Sequence, residues 1–149
     1  MTQLSEIDRQ VERHLDEKDV RYTQGRRQVV RALHRSAGPQ AASELHRGLR
    51  SSVPLSSLYR SLAVLDASGV LQKHHDAAGL ARFELAEWLT GHHHHLVCVD
   101  CNQVVDVELD AESERALAVL AESAGRERGY AVVDHGLEIE GTCARCLDK

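Results

Sequence analysis

Four cysteines and a run of four histidines are the residues of this chain best suited to chemistry. Two residues separate Cys98 from Cys101, and two separate Cys143 from Cys146. A Cys-x2-Cys turn presents two thiolates at the spacing of two corners of a zinc tetrahedron. Two such turns fill all four corners and leave no open coordination position, so the pattern predicts a structural zinc, Zn(II), and not a catalytic one. The 41 residues between Cys101 and Cys143 exceed the spacing of an ordinary finger, so the fold must bring the two turns together. No cysteine is left over. In a reducing compartment, paired cysteines favour metal over disulfides.

His92, His93, His94 and His95 run directly toward the first cysteine turn. Alternate side chains of a strand face opposite sides. His93 and His95 then share one face, and His92 and His94 share the other, so one run can serve two metal sites. Glu84 is placed to join His93 and His95. On the other face, His135 and an early-helix carboxylate, Glu112 or Glu114, are the candidate partners. Imidazole and carboxylate donors without thiolate suit Zn(II), Fe(II), Mn(II) or Ni(II) as a regulatory divalent metal.

The elements that must position these residues follow from periodicity. Ile7, Val11 and Leu15 predict a helix over 4–18. Thr23 is a helix-capping residue for 24–36, and a short third helix is expected over 42–49. After Val53-Pro54, Ser56 or Ser57 opens a fourth helix to about Ala67, buried along Leu58, Leu62 and Leu65. Strands over 70–75 and 81–85 flank a turn at 76–79. Helices followed by a hairpin are the winged-helix order. The second half reads as strands over 93–98 and 104–108, a helix over 111–128 capped by Asp110, and a strand over 130–140. The expected class is α+β: a winged-helix DNA-binding domain over 1–85, a hinge over 86–91, and an α/β metal-binding dimerisation domain over 92–149.

Charge divides the same way. Residues 1–83 hold 13 Lys/Arg against 9 Asp/Glu, whereas residues 84–149 hold 5 against 14. Within 21–60 there are eight arginines and one acid, Glu44. A basic first half points to nucleic acid despite the overall charge of −5. The fourth helix offers Ser56, Ser57, Tyr59 and Arg60 near its N-terminus, where recognition helices read base edges. Arg26 and Arg27 are candidates for phosphate contacts. No stretch approaches the ~18 apolar residues of a membrane span, and Met1 to Arg13 lacks the apolar region of a signal peptide. The expectation is a cytoplasmic protein without a membrane partner. No His-Glu-x-x-His occurs, nor a His-x-Glu with Pro-Cys-x-x-Cys. A zinc hydrolase or deaminase acting on a small-molecule substrate is disfavoured accordingly.

The segment SSLYRSLAVLDASGV resembles the recognition helix of the ferric uptake regulator (Fur) family. The run GHHHHLVCVDC with the terminal CARC resembles the family's metal-binding core, and the likeness extends from about Glu12 to Cys146. AASELHRGLR resembles the zinc-sensing (Zur-like) branch, whereas Phe83-Glu84 resembles the iron-sensing branch. The resemblance implies a homodimer that binds a palindromic double-stranded DNA operator when metal is bound, repressing zinc or iron uptake genes. It implies structural zinc at Cys98, Cys101, Cys143 and Cys146, and a sensor site at Glu84, His93 and His95. An additional site is implied at His92, His94 and His135, with Glu112 or Glu114. Asp106 stands where peroxide-sensing members use an aspartate ligand, so a peroxide-sensing, iron-dependent repressor is the alternative on the same scaffold. Tyr59 and Arg26 match positions the family uses on DNA. Gly38-Pro39-Gln40 replaces the histidine that many iron-sensing members place before the third helix. Gln72 and Ala86 stand where zinc-sensing relatives use Asp and Cys, and His74 or His75 is the candidate replacement ligand.

Overall fold

The apolar stripes of the first four helices meet in one core. A computed structural model describes residues 2–50 and 52–149. Helices α1 (Thr2–Asp16), α2 (Gln24–Arg35), α3 (Ala42–Gly48) and α4 (Leu55–Ala67) bury Val11, Leu15, Val29, Val30, Leu58, Leu62 and Leu65 together. Thr23 caps α2 by accepting from the Arg26 amide. The start of α4 corrects the sequence expectation: Pro54, and neither serine, occupies the cap position. Its fixed φ suits a helix entry, which moves Ser56 and Ser57 into the first turn.

Strands β2 (Leu71–His75) and β3 (Ala81–Leu85) form the hairpin, and the two-residue β1 (Gln40–Ala41), not anticipated, adds to the other edge of β3. Asp76 shapes the hairpin turn by accepting from the amides of Ala78 and Leu80. Its other oxygen takes Arg82 Nε at 3.0 Å, while Arg82 Nη1 reaches Glu44 at 2.8 Å. Arg82 and Asp76 are both buried. This ion-pair network fixes β3, two residues before Glu84, to α3.

Helix α5 (Glu87–Thr90) interrupts the stretch expected to be linker. Its Leu89 packs on the helical core. Gly91 then turns the chain at φ +88°, a conformation that favours glycine. Beyond it β4 (His94–Cys98) is the centre of a second sheet, antiparallel to β5 (Val104–Val107) and parallel to β6 (Glu138–Gly141). Asp110 caps α6 (Ala111–Glu127) through the Glu112 and Ser113 amides, and α7 (Ala144–Leu147) follows β6. The strand expected over 130–140 shrinks to β6. Its first residues lean on α6, where Val132 lies so close to Gly125 that a Cβ there would come within 2.3 Å of it. Pairing with β4 begins only at Glu138.

The two halves also meet where Gly38 lies flat on β5. A Cβ at Gly38 would sit 2.4 Å from the Val104 carbonyl, and the Asp106 amide donates to Ala37 across this contact at 2.9 Å. On the far side of the second sheet no residue of α6 is buried. Val119 and Leu120 are each 66 % exposed, and Leu96 and Ile139 also face out.

Candidate metal centres and nucleic-acid interface

Three donor clusters form, each with its ligand atoms within 4.8 Å of one another. In the first, the turns after β4 and before α7 bring Cys98, Cys101, Cys143 and Cys146 together. Cys101 Sγ lies 3.8 Å from Cys143 Sγ, which is the edge of a tetrahedron with Zn–S bonds of about 2.3 Å. The Cys143 amide donates to Cys98 Sγ at 3.3 Å. That amide and those of Cys101 and Asp100 bring the Cys98 thiol down to about 6, while its neighbours push Cys146 up to about 12. Four crowded sulfurs cannot all ionise alone. A bound dication resolves this conflict, so the donor set fits zinc.

The second cluster joins the two halves. Glu84, from β3, directs Oε2 at His93 Nε2 (2.9 Å) and His95 Nε2 (3.1 Å). Asp106, from β5, lies 3.6 Å from both imidazoles. These separations bracket the edge of about 3.4 Å expected for ligands some 2.1 Å from a tetrahedral metal. Burial opposes charge on Glu84, but hydrogen bonds from His74, His95 and His93 outweigh it and hold the carboxyl far below the usual range. Burial raises Asp106 instead. Glu84 Oε1 is taken by His74 Nε2 at 2.6 Å. His75 does not join: it pairs with Ala81 at the exposed end of β2. Strand alternation is the reason. Gln72 opposes Glu84 in register, so His74, two residues on, shares that face and His75 takes the other.

In the third cluster Glu114 is the hub. His94 Nε2 lies 2.9 Å from its Oε2, and His135 and His92 lie 2.6 and 3.1 Å from its Oε1. The hydrogen bond from His94, reinforced by His135, lowers the Glu114 pKa despite some desolvation. His94 is buried, and its Nδ1 has no partner among the described residues, so the cluster is not fully satisfied by itself. Glu112 stays outside, exposed; two residues along a helix is more than half a turn, which points it away from Glu114. His92 also sends Nδ1 to Glu87 of α5 at 3.2 Å. Sequence reasoning missed Glu87, which carries no motif. It left His74 and His75 both open as the β2 residue, and the hairpin register brings His74 to Glu84.

The candidate DNA face lies on α4. Tyr59 is 56 % exposed, Arg60 and Ser56 are exposed, and Ser57 is half-buried. Arg26 is half-buried and bonded to the Arg21 carbonyl. Arg27 is engaged internally: it pairs with Glu12 and stacks 4.2 Å over the Tyr22 ring. The expected phosphate contact of Arg27 is therefore set against two internal partners.

A helical unit ending in a hairpin wing, joined through the short helix α5 to a sheet carrying three clusters of metal-ligand type, defines a winged-helix protein with candidate metal centres. The profile of the ferric uptake regulator family matches residues 17–140. The chain belongs to that family. The ferric uptake regulation protein of Neisseria meningitidis serogroup A is 33 % identical over 97 residues, 65 % of this chain but 62 % of that protein. The match thus spans less than two thirds of that relative. The Vibrio cholerae ferric uptake regulator structure superposes with a TM-score of 0.68 at 26 % identity, over 89 % of this chain and 98 % of that one. The ferric uptake regulator of Pseudomonas aeruginosa, solved with manganese, gives a TM-score of 0.63 at 29 % identity, covering 87 % and 95 %. Among the described residues, no helix is long and apolar enough to cross a membrane.

Proposed function

We propose that this chain is a metal-dependent, DNA-binding transcriptional regulator, a repressor of metal-homeostasis genes, and not an enzyme. The observation that carries the reading is the second cluster. Glu84 comes from the wing, whereas His93, His95 and Asp106 come from the other sheet. A divalent ion held there ties the two halves into one orientation. The thiolate cluster takes zinc as a structural ion, and the all-N/O cluster takes ferrous iron or zinc as the regulatory one, manganese or nickel being compatible donors' partners. Exposed Val119, Leu120, Leu96 and Ile139 support a second copy of the chain as the cover of this face. A two-fold dimer presents two α4 helices to a palindromic duplex. Without the regulatory ion the halves swing, and affinity falls by the fraction that is competent.

The test is metal content per chain before and after mild chelation, alongside binding to a duplex selected by the holoprotein from a random-sequence pool. One zinc retained, with a labile metal lost together with DNA binding, supports the reading. Unchanged DNA binding by the stripped protein overturns it. Asp106 within 3.6 Å of both imidazoles favours peroxide sensing through ferrous iron as the second reading. An oxidised His93 or His95 in the mass spectrum of peroxide-treated iron protein, with DNA binding lost, distinguishes it.

A further inference from the structure

The hinge helix α5 belongs mechanically to the helical half. Besides Leu89 on the core, Trp88 Nε1 donates to the Gly69 carbonyl at 2.9 Å, just past the C-terminus of α4. The indole packs on His14 with ring centres 4.7 Å apart, and His14 Nε2 lies 2.7 Å from the Ser68 carbonyl. Trp88 thus clasps the ends of α1 and α4. One residue earlier, Glu87 faces the other half and meets His92. Gly91, the turn between them, has φ +88°.

His92 stands between two carboxylates, with Nδ1 3.2 Å from Glu87 and Nε2 3.1 Å from Glu114, close but not aligned as hydrogen bonds to either. Carboxylates only accept, and a neutral imidazole carries one N–H. Neutral His92 can therefore satisfy one carboxylate or the other. Once Nε2 serves as a metal ligand with His94, Glu114 and His135, the N–H resides on Nδ1, the atom 3.2 Å from Glu87. We infer that Glu87 and Trp88 are positioning residues that couple the His92–His94–Glu114–His135 cluster to the DNA-reading helix α4: ligation turns the Nδ1–H of His92 toward Glu87, a small rotation aligns the hydrogen bond between them, and α5 is drawn against the sheet with the end of α4 attached. The inference rests on the proposed metal-dependent DNA binding and adds a second route, separate from Glu84, by which metal reaches α4.

Trp88 is the one tryptophan of the chain, so intrinsic fluorescence reads the clasp alone. The experiment titrates the zinc-stapled protein with Zn(II), a d10 ion without redox chemistry. It follows metal stoichiometry, Trp88 emission, and the histidine ring nitrogens by long-range ¹H–¹⁵N spectra. A His93→Ala background weakens the second cluster, so the third fills first and the stoichiometry distinguishes the two. The wild-type cluster is expected to shift Trp88 emission in step with the bound ion and to show His92 as the Nδ1-protonated tautomer. Glu87→Ala is expected to keep the stoichiometry and lose the emission shift. Glu87→Gln, which retains a weaker acceptor, recovers part of it. In protein with His93 intact, Glu87→Ala is expected to lower metal-dependent duplex affinity by roughly 5-fold or more. A full emission shift in Glu87→Ala, or bound metal with silent Trp88, overturns the coupling while leaving the metal sites standing. A stoichiometry without the third-cluster ion overturns the site and the coupling together. Bound metal and a Trp88 response, with DNA affinity indifferent to metal, overturns the proposed function and with it the regulatory role of the coupling.

Discussion

Replacing Arg82 by Met tests whether the buried ion-pair network holds the wing. In the wild-type protein Arg82 gives Nε to Asp76, whose side chain is 1 % exposed, and Nη1 to Glu44, whose side chain is 33 % exposed. Met fills most of the aliphatic volume but supplies no donor. Glu44 keeps the Ala41 amide at 2.9 Å and can turn to water, so its share of the loss is small. Asp76 keeps the Ala78 and Leu80 amides at 3.0 and 2.9 Å, yet is left as a buried carboxylate without its cation. Breaking a buried pair costs about 3–5 kcal/mol, and the two retained amides place Arg82→Met near the lower end, about 3 kcal/mol. For a chain of this size that lowers Tm by about 6–12 °C. The double variant Arg82→Met/Asp76→Asn should recover part of the loss, since the uncompensated charge is gone. The pH dependence has a definite sign. Burial raises the Asp76 pKa, but the Leu80 amide, Arg82 and the Ala78 amide together hold it below its ordinary value. Its contribution is present above the unfolded pKa of about 3.9 and is lost as pH falls through the folded value. The gap between wild type and Arg82→Met should therefore be full at pH 7 and close at pH below about 4. Urea unfolding at fixed protein concentration measures both. An Arg82→Met protein as stable as wild type at pH 7 refutes the reasoning.

Two further substitutions separate the metal centres. Cys143→Ser should remove the structural zinc and raise amide exchange in β6 and α7, whose residues are mostly exposed and have little apolar burial to hold them, while the β4–β5 hairpin stays protected; retained zinc by elemental analysis would contradict the four-thiolate site. Gly38→Ala places a Cβ against the Val104 carbonyl and should push the α2–α3 loop off β5, lowering affinity at the Glu84–Asp106 cluster by about 10-fold, as outer-shell changes do, with the helical core intact. Competition with a chromophoric chelator measures it, and an unchanged affinity shows that the loop contact does not position Asp106.

Local chemistry made much of this legible. The apolar stripes of α1, α2 and α4, the caps at Thr23 and Asp110, and the alternation of the histidine run all depend on neighbours within a few residues, where periodicity speaks directly. His74 and His75 are not separable from composition, because parity across a hairpin depends on register, which the turn sets. Gln72 opposes Glu84, so His74 shares that face. The strand over 130–140 fails for a different reason: the Tyr130 amide is taken by the Gly125 carbonyl of α6 and Val132 lies against Gly125, a tertiary contact that overrides local β preference. Trp88 carries no local signal because its partners, Gly69 and His14, lie far along the chain, and Glu87 sits in no motif although its partner His92 is only five residues on.

The same distinction bears on how the metal clusters act. The cysteine pairs are legible because each half-site is local, although the fold must bring β4 and the turn before α7 together to complete the cluster. The Glu84 cluster takes its donors from both sides of Gly91, whereas the His92 cluster takes all four from beyond it and meets the helical half only through Glu87. An ion held by one element can stabilise that element only. An ion whose ligands come from two bodies changes the free energy of their relative orientation, because the orientation that completes the donor set binds it more tightly. On this argument an ion in the second cluster would bias the placement of α4 directly, whereas one in the third would act on it only through the contact of His92 with Glu87.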